Sequence, residues 1–197
     1  MSVLERKDMT MAERDAERDA YIASLPGLLE RLDRRLSRAG IDMRRLSLID
    51  MPEITAWFAD ELRRDESMGE FPLPTWWDRD EPPKGGVDEE GVPRLNRHHF
   101  EIIDETAALL VERIFAARPD ARWLFFKGPK RDYRNGNLVI GVGARPIFAG
   151  PSTISPRDLM WGVALGIVRR PPSPNFLGAP AKAIDQLLAT PIEGEGK

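Results

Sequence analysis

The chain has no cysteine in its 197 residues. Disulfides, thiol nucleophiles, zinc ribbons and cysteine-held iron–sulfur clusters are therefore excluded. Histidine is almost as scarce. The only two are neighbours, His98 and His99, so a metal site built on them would need at least one further ligand from elsewhere. Long apolar runs are missing as well. The longest, Trp161–Val168, falls far short of the ~20 residues that span a bilayer. The opening stretch MSVLERKDMTMAERDAERDA has no apolar segment of the kind a secretory signal needs, and a cytoplasmic protein is expected. Neither sign of charge dominates. With 29 Lys and Arg against 32 Asp and Glu, the net charge of −3 gives no whole-molecule field that selects nucleic acid or membrane. Any such argument must be local. A Gly-x-Ser-x-Gly elbow, a phosphate loop of the GxxxxGK[ST] type and internal repeats are all lacking, so no enzyme class is signalled by motif.

What remains is an ordinary folded composition, 42% hydrophobic and 31% charged, of a length suited to one compact domain. The 17 prolines and 16 glycines imply sizeable irregular segments. Residues 1–64 read as a helical N-terminal part. Thr10 and Glu13 have capping-box spacing. Ser24-Leu25-Pro26 predicts a break, after which Leu25, Leu28, Leu29, Leu32 and Leu36 mark a second helix that stops at Gly40. A third helix is predicted from Asp50 as cap, with Pro52 in its first turn and Ile54, Trp57, Phe58 and Leu62 as its buried stripe. Residues 65–95 form an acidic Pro/Gly-rich loop or linker. From Asp50 to Pro93 there are thirteen acids against four Lys or Arg.

Residues 96–190 read as an α+β unit with a central hairpin, followed by a tail over 191–197. Asn96 caps a helix whose stripe is Phe100, Ile103, Ala107, Leu110 and Ile114, and Arg118-Pro119 ends it. Trp123–Phe126 and Leu138–Val142 read as two strands around a turn containing Asn135-Gly136. Arg145–Phe148 is expected as a third short strand. Ser155-Pro156-x-Asp158 starts a helix, and a short final helix is expected around Pro180–Leu188. The fold class that follows is α+β: a small antiparallel sheet of two to four short strands, packed by several amphipathic helices.

Three groups of residues are candidates for function. In the acidic loop, Trp76 and Trp77 stand beside Asp78 and Asp80. Indoles among carboxylates suit a protein interface, with the carboxylates steering a partner that has a basic surface. In the hairpin, Lys127, Lys130, Arg131, Tyr133 and Arg134 combine cations with aromatic surface, as single-stranded nucleic-acid binding requires. A polar hairpin tip with strand aromatics turned to the core explains the same residues without nucleic acid. On the long helix, His98 lies one and two turns before Glu101 and Glu105, so an imidazole and two carboxylates share a face. That face is expected to point away from the apolar stripe, as a solvated first turn. The glycines Gly141 and Gly143 are expected to let the strand bend or pass close to a helix. The reading that best fits this set is a non-catalytic protein-binding protein of the inhibitor, adaptor or immunity type, with no catalytic or metal residues and no cofactor. Nucleic-acid binding through the hairpin comes second, and an enzyme using His98 with Glu101 or Glu105 third.

Overall fold

A computed structural model describes residues 9–64, 86–89, 94–128, 136–143, 151–169 and 178–192. Helix α1 spans Met11–Arg38, and Thr10 and Glu13 close the predicted capping box at its start. The predicted break at Ser24-Leu25-Pro26 does not occur: Pro26 lies inside one 28-residue helix. Proline removes the bond to the carbonyl four residues back. Contacts on both sides of it outweigh that loss. Leu28, Leu32 and Leu36 are buried after it, while before it Tyr21 meets Trp123 edge-on with ring centroids 5.8 Å apart. The Ser24 hydroxyl also donates to the Tyr21 carbonyl at 2.7 Å, the kind of back-bond that helices accommodate by bending.

Two short 3₁₀ turns, Met43–Arg45 and Leu48–Asp50, lead into α2, Met51–Leu62. Asp50 is not the side-chain cap of α2 that the sequence suggests. Its carboxylate instead accepts from the amide and hydroxyl of Ser47, at 2.7 and 2.8 Å, and closes the preceding turn. Pro52 occupies the first turn of α2 as expected. Helix α3, Arg97–Ala117, is capped by Asn96 and packs against α1, α2 and α4.

Among the described residues the sheet has three antiparallel strands in the order β1 (Arg122–Phe125), β2 (Leu138–Gly141) and β3 (Thr153–Ile154). Trp123 pairs with Ile140, and Ile140 with Ile154. Arg145–Phe148 lies outside the described residues, and the third strand seen is Thr153–Ile154. Helix α4, Pro156–Arg169, follows at once, with the Ser155 hydroxyl accepting from the Asp158 amide at 3.3 Å. Helix α5, Ala179–Leu188, completes an α+β architecture.

One hydrophobic cluster takes in Leu32, Leu36, Phe58, Ile103, Leu110, Ile140, Leu165 and Ile184, and so joins the five helices of the described residues and the sheet. Trp123 and Trp161 pack against it half-buried, and Trp161 stacks on Phe100 at 5.9 Å. No helix among the described residues is long and apolar enough to cross a membrane.

Candidate functional site

The ionisable groups of α1, α2 and α3 converge on one guanidinium. Arg31 and Arg35 lie a turn apart, next to the buried row Leu28, Leu32 and Leu36, which carries their heads into the contact with α3. Nε of Arg35 donates to Oε2 of Glu105 at 2.7 Å, and Nη2 to Oε2 of Glu101 at 3.1 Å. Nη1 donates to Nδ1 of His98 at 3.3 Å. Arg31 Nε takes the second oxygen of Glu105 at 3.2 Å. Glu61, in the last turn of α2, stands 3.8 Å from Arg35 Nη1 and 3.7 Å from His98 Nε2. Arg97 and Arg64 close the rim, pairing with Glu101 at 2.7 Å and with Glu61 at 3.1 Å.

The expectation that His98, Glu101 and Glu105 form a solvated face is corrected here. His98 is buried, and Glu105 has no accessible surface at all, 0%; only Glu101 keeps contact with solvent. The reason is that α3 is covered on several sides. Thirteen of its 21 residues are buried, so its polar positions fall inside and need partners. Burial pushes the Glu105 carboxyl above its ordinary value, while Arg35 and Arg31 pull it back only in part. A guanidinium only donates, so Nδ1 of His98 is the acceptor and its proton sits on Nε2, toward Glu61. The imidazole, two carboxylates and Arg35 thus do share one place, as a clamp between three helices. Among the described residues, no group of three or more His, Asp or Glu is arranged to hold a metal.

His99 has a structural post of its own. Its Nδ1 accepts from the Asn96 amide at 3.2 Å, and its Nε2 donates to the Leu62 carbonyl at 2.9 Å. One ring therefore caps the start of α3 and satisfies an orphan carbonyl at the end of α2. A second polar node sits at the other end of α3. Arg118, only 3% exposed, grips both oxygens of Asp120 at 2.8 Å and donates to the Leu187, Leu188 and Thr190 carbonyls at the end of α5. The Arg118 hydrogen bond, with help from the Gly143 amide, holds the Asp120 carboxyl well below the usual carboxylate range. Gly143 has φ +79°, and a Cβ there would meet Thr190 at 3.2 Å, so its close approach is to the chain just past the end of α5 rather than to a helix.

Among the hairpin candidates, Lys127 is exposed, while Lys130, Arg131, Tyr133 and Arg134 lie outside the described residues. Trp123 and Phe126 are committed to packing: Trp123 against Tyr21 and Phe115, and Phe126 buried. Trp76, Trp77, Asp78 and Asp80 also lie outside the described residues. Sequence reasoning missed Arg31, Arg35 and Glu61, because Arg35 and Glu105 are 70 positions apart. The available signal was local: two arginines four apart along the edge of a leucine stripe. Comparison of the chain with protein-family models, with curated proteins and with solved structures finds no match in any of the three.

Proposed function

We propose that this chain is a non-catalytic binding protein that acts through protein–protein contacts, as an inhibitor, an adaptor or an immunity-type protein does. One observation carries the reading. The best approach to reactive chemistry in the sequence, His98 with Glu101 and Glu105, is engaged in joining helices. Nδ1 of His98 is held by Arg35, and Glu105 is sealed from solvent and held by two arginines. A general base must reach a substrate proton within hydrogen-bond distance, and a fully buried carboxylate is not presented to one. The contact surface we favour is the acidic segment with Trp76, Trp77, Asp78 and Asp80. Its composition favours this role: tryptophan gives large apolar area at low ordering cost, and the carboxylates steer a basic partner.

The test is capture of a partner from the native host after nuclease treatment, followed by titration of the purified partner against Trp76→Ala and Trp77→Ala. One variant is expected to lower fold stability, and the other to leave stability alone while weakening the complex by about 2 kcal/mol or more. Wild-type affinity in both variants overturns the assignment of the surface. The exposed Lys127 keeps the hairpin as the competing surface. Tight, salt-sensitive oligonucleotide binding that flattens when Lys130, Arg131 and Arg134 become Ala replaces the proposal with nucleic-acid binding.

A further inference from the structure

We infer that the outer edge of β1 pairs with β1 of a second copy of this chain, antiparallel and centred on Leu124. Such pairing goes beyond the binding reading above and needs no further protein. β1 lies at one end of the strand order β1-β2-β3, and each of its residues is half-buried. Which of its backbone groups face outward follows from the bonds around it. The Phe126 amide donates to the Asn137 carbonyl at 2.7 Å, so Phe126 faces β2. Alternate residues of an antiparallel pair exchange hydrogen bonds. With Leu124 opposite Val139 and Arg122 opposite Gly141, these two turn their backbone groups to β2 as well. The other side of β2 agrees. The Val142 amide donates to the Ser152 carbonyl at 2.9 Å, and Ile140 stands opposite Ile154, so Ile140 bonds to β3 and away from Trp123. Trp123 and Phe125 therefore turn their amides and carbonyls outward, and no described residue bonds to them across that edge.

An open strand edge is a template for another strand, and the sequence of β1 selects a copy of itself. Trp123 and Phe125 are two positions apart. Antiparallel pairing about Leu124 therefore sets the outward groups of Trp123 against those of Phe125 in the second copy, and the reverse, and leaves none unmet. The same register puts each indole opposite a phenyl ring, an aromatic cross-strand pair of the kind that stabilises sheets. It also keeps like charges apart, because Arg122 falls opposite Phe126 and Lys127 opposite Ala121. The side chain of Leu124 lies outside the hydrophobic cluster and meets its own copy at the centre, in a pair of the closely spaced kind. Neither proline nor an acid interrupts residues 121–127. A strand of 4 residues makes a small interface, so the pairing is weak, with a Kd of about 1 mM or tighter.

The full chain is followed by sedimentation equilibrium and by amide hydrogen exchange, read residue by residue with NMR, from about 10 μM to about 2 mM. Dimer mass is expected to grow with concentration. Exchange at the Trp123 and Phe125 amides should slow at least about twofold across that range, while the Leu124 amide, already bonded to β2, is unchanged. Leu124→Lys and Leu124→Glu each place like charges at the centre of the pair. Each should be monomeric while unfolding as cooperatively as the wild type, and a mixture of the two should pair. Phe125→Pro removes one outward amide and no bond to β2, and should also be monomeric. A wild-type chain that stays monomeric at about 2 mM overturns the inference. So does a dimer whose Trp123 and Phe125 amides exchange as freely as in the monomer, or folded lysine and glutamate variants that self-associate as the wild type does.

Discussion

Arg35 shows how one side chain can decide whether a buried carboxylate is tolerable. Its guanidinium reaches Glu105, Glu101 and His98 together, and without it Glu105 would face the interior with only the half-exposed Arg31. Arg35→Met is expected to cost about 3–5 kcal/mol in urea denaturation, as removal of one partner from a buried pair does. Arg97→Ala touches the same network at its exposed rim and should cost less than about 1 kcal/mol. A similar loss for both would mean that burial does not set the cost. Glu105 and Asp120 give pH effects of opposite sign. The Glu105 carboxyl is raised by burial, so its contribution to stability is fully present below the ordinary glutamate value and is lost as pH rises through the folded one. The Asp120 carboxyl is depressed by Arg118, so its contribution is present above the ordinary aspartate value and is lost as pH falls toward the folded one. Asp120→Asn should therefore be less stable than wild type at neutral pH, with the two stabilities converging as the solution is acidified.

Helix signals that close within a few residues were legible in the sequence. Thr10 with Glu13, Asn96 at the head of α3 and Ser155-Pro156 before α4 each act through groups at most three positions apart, and each marks the helix start it predicts. The signal at Pro26 was equally local but was overruled, because packing of Tyr21 on one side and Leu28 on the other lies beyond the reach of a propensity argument. That conflict leaves α1 with removable cost. Both Pro26 and Gly27 are exposed, and a Cβ at Gly27 meets only the end of Arg31, at 3.9 Å. Gly27→Ala should raise stability by about 0.5–1 kcal/mol. Pro26→Ala should raise it further, by up to about 3 kcal/mol, with the gain reduced by the freedom that the unfolded chain regains. A higher denaturation midpoint with an unchanged slope is the expected record; a lower midpoint would show that Pro26 is needed for packing. The Arg35 clamp stayed hidden for the reason that made the caps visible: its partners are distant in sequence, and on its own helix each reads as a surface charge.

At the scale of the whole molecule, the apolar periods of separate elements converge on one cluster. Of the residues whose helix and strand periods point inward, Phe100, Ile103, Leu110, Ile114, Ile140 and Leu165 belong to it and Trp123 and Trp161 pack against it, whereas Leu138, also expected there, does neither. The cluster also includes α1 and α2, which the sequence left free to pack on each other or on the sheet. Leu110 is fully buried within it, so Leu110→Ala should cost about 2–5 kcal/mol, read as a fall in the denaturation midpoint. The His99 ring has a further consequence at this scale. By joining the Leu62 carbonyl to the head of α3, it fixes the exit and the return of the intervening chain at one point. The entropy of closing that excursion changes by only about 0.6 kcal/mol for each doubling of its length. Residues 66–84 should therefore be replaceable by a short Gly/Ser linker with the fold retained, provided that Gly86 and Val87, held by Arg94 and packed against the core, are kept. Any stability lost beyond the small closure difference would measure how firmly the excised stretch, Trp76 and Trp77 included, is moored to the body, and the trimmed protein would lack the acidic segment proposed as the partner surface.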